Sequence, residues 1–388
     1  MVLKVKLPSG IREIDTRVHK PVVFINGVKK ILDKGITFVN GQKKYLWGMD
    51  GVPVDYISVD GVDCGGVYSI GESWMHTTSN GYVTKFDITN TSNPIADQSI
   101  AWGTVYQNSG FQSDGTTAIF GTTAGNKIGI DIATGNASVV ASYSTPPTPS
   151  SQNDVLNPSL CITNSYNCGW ISIRSGLSSG TLLAGNHWYW NGTEKYTTAT
   201  ARDPLRVNGT TSIQIDTDTF LINLISNSAS GLYSANPTSV SRVSGLMNDL
   251  VMLDGQYLCG VTNYSGTTTV STFVLYDKST RAAVRTYSHN TATEQLTLLG
   301  RIGNNYYLLV CPKDSTATTG AKLLLKDKDT FTTVHEQDLA PDPFNENSGD
   351  VSFWNTATAI PMVSYTGFLN VSTNSYNKMR CARFGELL

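Results

Sequence analysis

Thr272-Phe273-Val274-Leu275-Tyr276-Asp277-Lys278-Ser279-Thr280 carries the pattern that organises most of the chain. A short run of β-branched and aromatic residues ends in Asp, and a Thr stands three residues further on. The run is too short for an ordinary helix and has the composition of a strand. The Asp carboxylate can accept backbone N–H bonds from residues two and three further on, closing a tight turn. A second strand-like run, Ala283-Val284-Arg285-Thr286-Tyr287, follows at once. The local unit is therefore strand, Asp corner, strand.

The unit recurs. Lys326-Asp327-Lys328-Asp329-Thr330 and Ile130-Asp131-Ile132-Ala133-Thr134 repeat it, the latter followed by Gly135. Phe86-Asp87-Ile88-Thr89-Asn90 has Asn in the Thr place, and Leu369-Asn370-Val371-Ser372-Thr373 has Asn in the Asp place. Tyr189-Trp190-Asn191-Gly192-Thr193 and Ser234-Ala235-Asn236-Pro237-Thr238 are weaker copies. The anchors sit at Asp87, Asp131, Trp190, Ala235, Asp277, Asp327 and Asn370, separated by 44, 59, 45, 42, 50 and 43 residues. Further apolar runs such as Tyr257-Leu258-Cys259-Gly260-Val261 and Tyr306-Tyr307-Leu308-Leu309-Val310 lie upstream of them. Each repeat thus offers three or four short strands in about 40–50 residues, the size of a propeller blade.

These repeats predict an all-β chain with a seven-bladed β-propeller over residues 51–388. Residues 52–58 and 377–383 are the expected closing strands. Six or eight blades follow if the two weak anchors are re-phased. The long 59-residue spacing contains Ser144-Thr145-Pro146-Pro147-Thr148-Pro149-Ser150-Ser151, which reads as an inter-blade loop because proline cannot pair inside a sheet. The acidic stretch 336–350 reads as a solvated loop; it lacks the Asp-x-Asp-x-Asp-Gly spacing of a calcium loop.

Composition agrees with strands. Of 388 residues, 46 are Thr and 38 Ser, and only 15% are charged. That is poor material for helices and good material for strands and turns. A net charge of −2 argues against a nucleic-acid partner. No apolar run is long enough for membrane insertion. The first residues lack a secretion signal, so the chain is expected to fold in a cytoplasm with its six Cys as free thiols.

Charge marks a second unit. Residues 1–48 hold ten Lys and Arg against three acids, which leaves the remainder with a net −9. Within this basic head, Phe24-Ile25-Asn26-Gly27-Val28-Lys29-Lys30 recurs as Phe38-Val39-Asn40-Gly41-Gln42-Lys43-Lys44, an offset of 14. Asn-Gly between apolar runs is a hairpin signal, since a type I′ turn needs positive φ at both central residues. Two hairpins are predicted, with an earlier turn at Pro8-Ser9-Gly10. So small a unit buries little surface alone. Residues 1–50 are therefore expected to be an attachment module, docking through Phe24, Asn26, Gly27, Lys29, Lys30, Phe38, Asn40, Gly41, Lys43, Lys44 and Trp47. A minor subdomain packed on the body is the other reading.

The tandem stretches, ending in Tyr45-Leu46-Trp47-Gly48, resemble N-terminal segments of phage tail and other virion proteins from Gram-positive hosts. The resemblance covers roughly residues 20–48. It implies a structural protein of a phage or phage-like particle, held there by its N-terminus.

Little in the sequence suggests catalysis. Gly176-Leu177-Ser178-Ser179-Gly180 matches a nucleophile elbow, but its flanks are strand-like where the elbow needs strand then helix. Cys161 and Cys168 lack a second ligand pair for zinc, and Cys259 and Cys311 lie in apolar runs that suit a core. None of the five His has metal-like spacing. No cofactor or metal is expected. Trp188 and Trp190 share one face of a strand and His187 and Tyr189 the other; one pair is expected in the core and the other could stack on sugar rings. Three readings follow. The first is a non-enzymatic virion or tail-like-particle component whose partners are other particle proteins and a host cell-surface glycan. The second is a glycan-active enzyme on a propeller scaffold, and the third a cytoplasmic interaction propeller.

Overall fold

The computed structural model describes the backbone of the strands and turns named below. It describes side chains at 51–59, 85–87, 117, 128–138, 213, 215–216, 218–221, 232–246, 250–262, 270–289, 293–313, 320–341, 343–344, 353–364, 367–373 and 378–387. The chain divides into two compact units, one formed by Met1–Val54 with Phe384–Leu388 and the other by Asp55–Arg383.

Among the described residues, the first unit contains three two-stranded antiparallel hairpins: β1 (Val2–Leu7) with β2 (Gly10–Asp15), β3 (Val22–Ile25) with β4 (Val28–Ile31), and β5 (Gly35–Val39) with β6 (Gln42–Trp47). The body is a succession of antiparallel sheets, each built mostly from consecutive strands. After β7 (Val54–Asp60), the first holds β8 (Gly66–Ile70), β9 (Trp74–Ser79), β10 (Tyr82–Asp87) and β11 (Ile95–Ala101). The second holds β12 (Gln112–Ser113), β13 (Thr117–Gly121), β14 (Asn126–Asp131) and β15 (Ala137–Ser142). The third holds β16 (Asp154–Pro158), β17 (Gly169–Ser175), β18 (Leu182–Trp190) and β19 (Thr193–Thr198). The fourth holds β20 (Arg206–Asp216), β21 (Thr219–Ile225), β22 (Gly231–Ala235) and β23 (Val240–Arg242). The fifth holds β24 (Leu250–Asp254), β25 (Tyr257–Asn263), β26 (Val270–Asp277) and β27 (Ala283–Asn290).

The sixth sheet holds β28 (Glu294–Ile302), β29 (Asn305–Pro312), β30 (Lys322–Asp327) and β31 (Thr333–Asp338). A fifth strand, β33 (Met362–Ser364), joins its β28 edge. A four-residue helix, α1 (Phe353–Thr356), precedes the seventh sheet, whose strands are β32 (Thr358–Ala359), β34 (Phe368–Ser375), β35 (Lys378–Gly385) and β7 (Val54–Asp60), in that order. The last strand of the body thus pairs with the first. The repeated four-stranded meander is the strand order of propeller blades.

Buried residues explain the continuous apolar runs. On β26, Val274 and Tyr276 pack with Ile213, Leu221 and Leu250 toward the fourth sheet. Phe273 and Leu275, on the opposite face, pack with Leu298, Leu308 and Leu324 of the sixth. A strand covered on both faces has no polar side to display. Ile57 of β7 and Met379 and Cys381 of β35 meet Phe86 of β10, so the seventh sheet packs against the first.

The third strand of each of the first six sheets ends at Asp87, Asp131, Trp190, Ala235, Asp277 or Asp327. In the fourth sheet the residue that closes the turn is Asn236, not Ala235. Ala235 is fully buried in β22, and the Asn236 Oδ1 accepts from the amides of Thr238 at 2.9 Å and Ser239 at 2.8 Å. Asn370 is not a corner at all. It is buried within β34, between Leu369 and Val371. In the seventh sheet the connection between third and fourth strands does not exist, because β35 and β7 come from opposite ends of the body. The acidic stretch also differs: Glu336 to Asp338 belong to β31, and Phe344 packs edge-on against Phe353 at 4.9 Å.

Candidate interaction surfaces

The two later hairpins of the first unit have the same register. Phe24 stands opposite Lys29 and Val23 opposite Lys30. Phe38 stands opposite Lys43 and Thr37 opposite Lys44. The sequence repeat of 14 is thus a repeat of strand pairing. Ile25 pairs with Val28, and Val39 with Gln42, which leaves two residues for each connection. Those residues, Asn26, Gly27, Asn40 and Gly41, lie outside the described residues. Trp47 stands opposite Gly35. The side chains of all the expected docking residues lie outside the described residues.

Among the described residues the body offers two kinds of surface. One end of the sheets carries the corners, and three of them share one geometry. The Asp131 Oδ1 accepts from the Thr134 amide at 2.7 Å and the Thr134 hydroxyl at 2.8 Å. Asp277 receives the same two groups of Thr280 at 2.7 and 3.0 Å, and Asp327 those of Thr330 at 2.7 and 2.9 Å. The fifth residue donates its amide back to the Asp carbonyl: Gly135 at 2.7 Å, Arg281 at 2.8 Å, Phe331 at 2.8 Å. All three adopt left-handed backbone, with φ of 67°, 59° and 61°. Glycine does this without strain; Arg281 and Phe331 do not. Phe331 recovers the loss by burying its ring 5.1 Å from Phe273 and 6.3 Å from Tyr306.

The bonded carboxylates are held below the usual range. For Asp131 the Thr134 hydroxyl is the leading cause, and for Asp277 and Asp327 the amides of Thr280 and Thr330. They remain anionic at neutral pH. Neighbouring sheets also read each other's corners. Lys85 Nζ donates to Thr134 O and Asn136 Oδ1, both at 3.3 Å, and Arg285 Nε and Nη2 donate to Asp329 O at 3.0 and 2.8 Å.

The seam between the fifth and sixth sheets carries a polar cluster, which runs from the opposite end at His289, Glu294 and Lys322 toward the corner end at Lys326. His289 Nε2 lies 2.9 Å from Glu294 Oε2, and Tyr287 OH lies 3.3 Å from His289 Nδ1. Lys322 pairs with Glu336 at 2.7 Å, and the Lys326 ammonium sits 3.6 Å over the Tyr287 ring. Burial, with Glu336 nearby, pushes the Tyr287 phenol up, and burial pushes the Lys326 amine down. These groups satisfy one another, so the cluster acts first as a clasp between sheets. Sequence reasoning missed it, because residues from four strands contribute and no two form a motif.

Among the described residues, three thiols and one indole are buried. Cys259, Cys311 and Cys381 are free and buried. Burial pushes the Cys311 thiol up to about 12 and raises the Cys259 thiol as well. Trp354 is buried, its Nε1 donating to Ala340 O at 2.8 Å. The segments holding Cys161, Cys168 and Gly176 to Gly180 lie outside the described residues. The side chains of His187, Trp188, Tyr189 and Trp190 lie outside them as well. Among the described residues no group of three or more His, Cys, Asp or Glu is placed to hold a metal ion. Likewise, no helix among them is long and apolar enough to cross a membrane.

No protein-family model matches the chain, and no curated protein does. Among solved structures, the crystal structure of BamB from Moraxella catarrhalis aligns over 84% of this chain and 98% of that one, at 15% identity and a TM-score of 0.37. A TM-score that low carries no argument for a common fold or role.

Proposed function

We propose that this chain is a non-enzymatic structural component of a bacteriophage or phage tail-like particle. Residues 1–50 dock it onto other particle proteins. Residues 51–388 form a propeller of seven blades, closed by β7 on β35, which covers the particle or meets a host-surface glycan. Many copies on one particle would turn weak single contacts into firm attachment.

The observation that carries this reading is the pair of hairpins with identical register, Phe24 opposite Lys29 and Phe38 opposite Lys43. A repeated two-stranded unit of this size is marginal alone and gains most from lying on a larger surface. Its positive charge, set against an acidic body, favours a partner other than more of the same head. The blade reading rests on the repeated meander and on the pairing of the body's first and last strands.

Deletion of residues 1–48 tests the proposal. The truncated chain should stay folded and soluble yet fail to enter particles when co-expressed with the rest of them. Incorporation at the full-length level would overturn the docking role.

A further inference from the structure

Between the sixth and seventh sheets the chain does something the repeat does not require. Thr358 and Ala359 of β32 pair antiparallel with Ser372 and Val371 of β34, inside the seventh sheet. Two residues later the chain leaves that sheet. Met362, Val363 and Ser364 of β33 pair parallel with Gly300, Arg301 and Ile302 of β28, at the free edge of the sixth. Pro361 stands at the crossing, where its missing N–H removes a donor either sheet could use.

The approach is very close. Gly300 has φ of +138°, and a Cβ there would lie 2.1 Å from Met362 O and 2.8 Å from Leu369 Cδ2. No other residue fits without displacing β33. The crossing is also tied at both ends. Upstream, Asn355 Nδ2 donates to Pro312 O of the sixth sheet at 2.9 Å. Downstream, the Phe368 amide donates to Ser364 Oγ at 3.2 Å. Yet Ile360, Pro361, Met362 and Val363 are only half-buried, whereas the β28 and β34 residues beneath them are largely buried. Short pairing and partial burial mark a segment that opens before its surroundings.

We infer that residues 358–364 form a releasable strap. It fastens the sixth sheet to the seventh independently of the terminal strand β7, and it opens while both sheets stay folded. Opening bares the backbone edge of Gly300, Arg301 and Ile302. While closed, the strap keeps that edge from pairing with another chain.

Hydrogen exchange on the full chain, read by mass spectrometry, tests this. In the wild type, those amides of 300–302 and 362–364 that bond across the β28–β33 pairing should exchange through an opening with little denaturant dependence; amides of 300–302 that bond to β29, and those of β29 and β30, should exchange only through one with steep dependence. Val363→Pro should speed exchange at the strap-bonded amides of 300–302 at least tenfold and leave β29 and β30 within twofold. Gly300→Ala should do the same at 362–364. Equal denaturant dependence across strap and sheets in the wild type would overturn the inference, a reading that stands even where a variant does not fold. So would unchanged exchange at the strap-bonded amides of 300–302 in folded Val363→Pro.

Discussion

Arg301 grips Asp254 across the seam between the fifth and sixth sheets, Nε to Oδ2 at 2.6 Å and Nη2 to Oδ1 at 2.8 Å. The Tyr306 hydroxyl donates a third bond to the same carboxylate at 2.6 Å, and Arg301 Nη1 also reaches Gly303 O. Asp254 is only 6% exposed. Removing the cation strands a buried charge, so Arg301→Leu should lose about 3 kcal/mol of stability. The double variant Asp254→Leu with Arg301→Leu should recover part of it, less what the buried Tyr306 hydroxyl loses with its acceptor. Urea denaturation of the three proteins decides. Equal losses in single and double variants would show that the pair does not act as a unit.

The Asp corners make stability depend on acid. Asp277 and Asp327 titrate below their ordinary 3.8 in the folded chain. A group with a depressed folded pKa stabilises fully above its unfolded value and loses that contribution as pH falls through the folded one. The thermal midpoint should therefore drop below about pH 4, with part of the drop due to these corners. Asn keeps the turn without titrating, as Asn236 shows. Asp277→Asn with Asp327→Asn should leave the midpoint at pH 7 almost unchanged and flatten its acid limb. An unaltered acid limb would mean the corners are not the source.

Arg281 adopts φ of 59° with no buried side chain to offset it. Arg281→Gly should therefore raise stability, by up to about 1 kcal/mol before the entropy of the freer unfolded chain is set against it. At Phe331 the same change should lower stability, because Phe331 fills the core between Phe273 and Tyr306. Opposite signs in denaturant midpoints are the expected result; the same sign at both sites would refute the strain account.

Thiol labelling reads the core directly. Cys259, Cys311 and Cys381 are buried, and burial holds the first two protonated at neutral pH. A thiolate is the reacting form. These three positions should stay unmodified by an aromatic disulfide reagent in the native protein and react promptly in concentrated guanidinium. Labelling of Cys259 before unfolding, located by peptide mapping, would contradict the packing of the fifth sheet.

Much of this architecture was legible because corners are local. The carboxylate of Asp277 or Asp327 and its Thr are three residues apart, so sequence alone holds both bonding partners. Legibility failed where the partner was remote or the context had changed. Asn370 carries the right residues at the right spacing, yet Leu369 and Val371 are buried beside it and the strand runs on. In the fourth sheet the capping Asn follows the strand end instead of forming it, which displaces the corner by one residue from the expected Ala235. Asp254 and Arg301 are 47 residues apart, and nothing near either announces the other. The strap was invisible for the same reason: a parallel pairing of three residues leaves no periodic trace.

The seventh sheet joins strands from both ends of the body, and the Gly385 amide donates to Pro53 O at 2.9 Å. The place where the polypeptide comes into the body is therefore also the place where it goes out. Within that sheet the body's two ends lie side by side, so joining them would leave the strand pairings intact. A circularly permuted body, with 385 linked to 53 and the chain cut between Lys278 and Ala282, would keep every strand and only move the opening. Anything genetically fused after Gly385 would likewise emerge beside the root of β7.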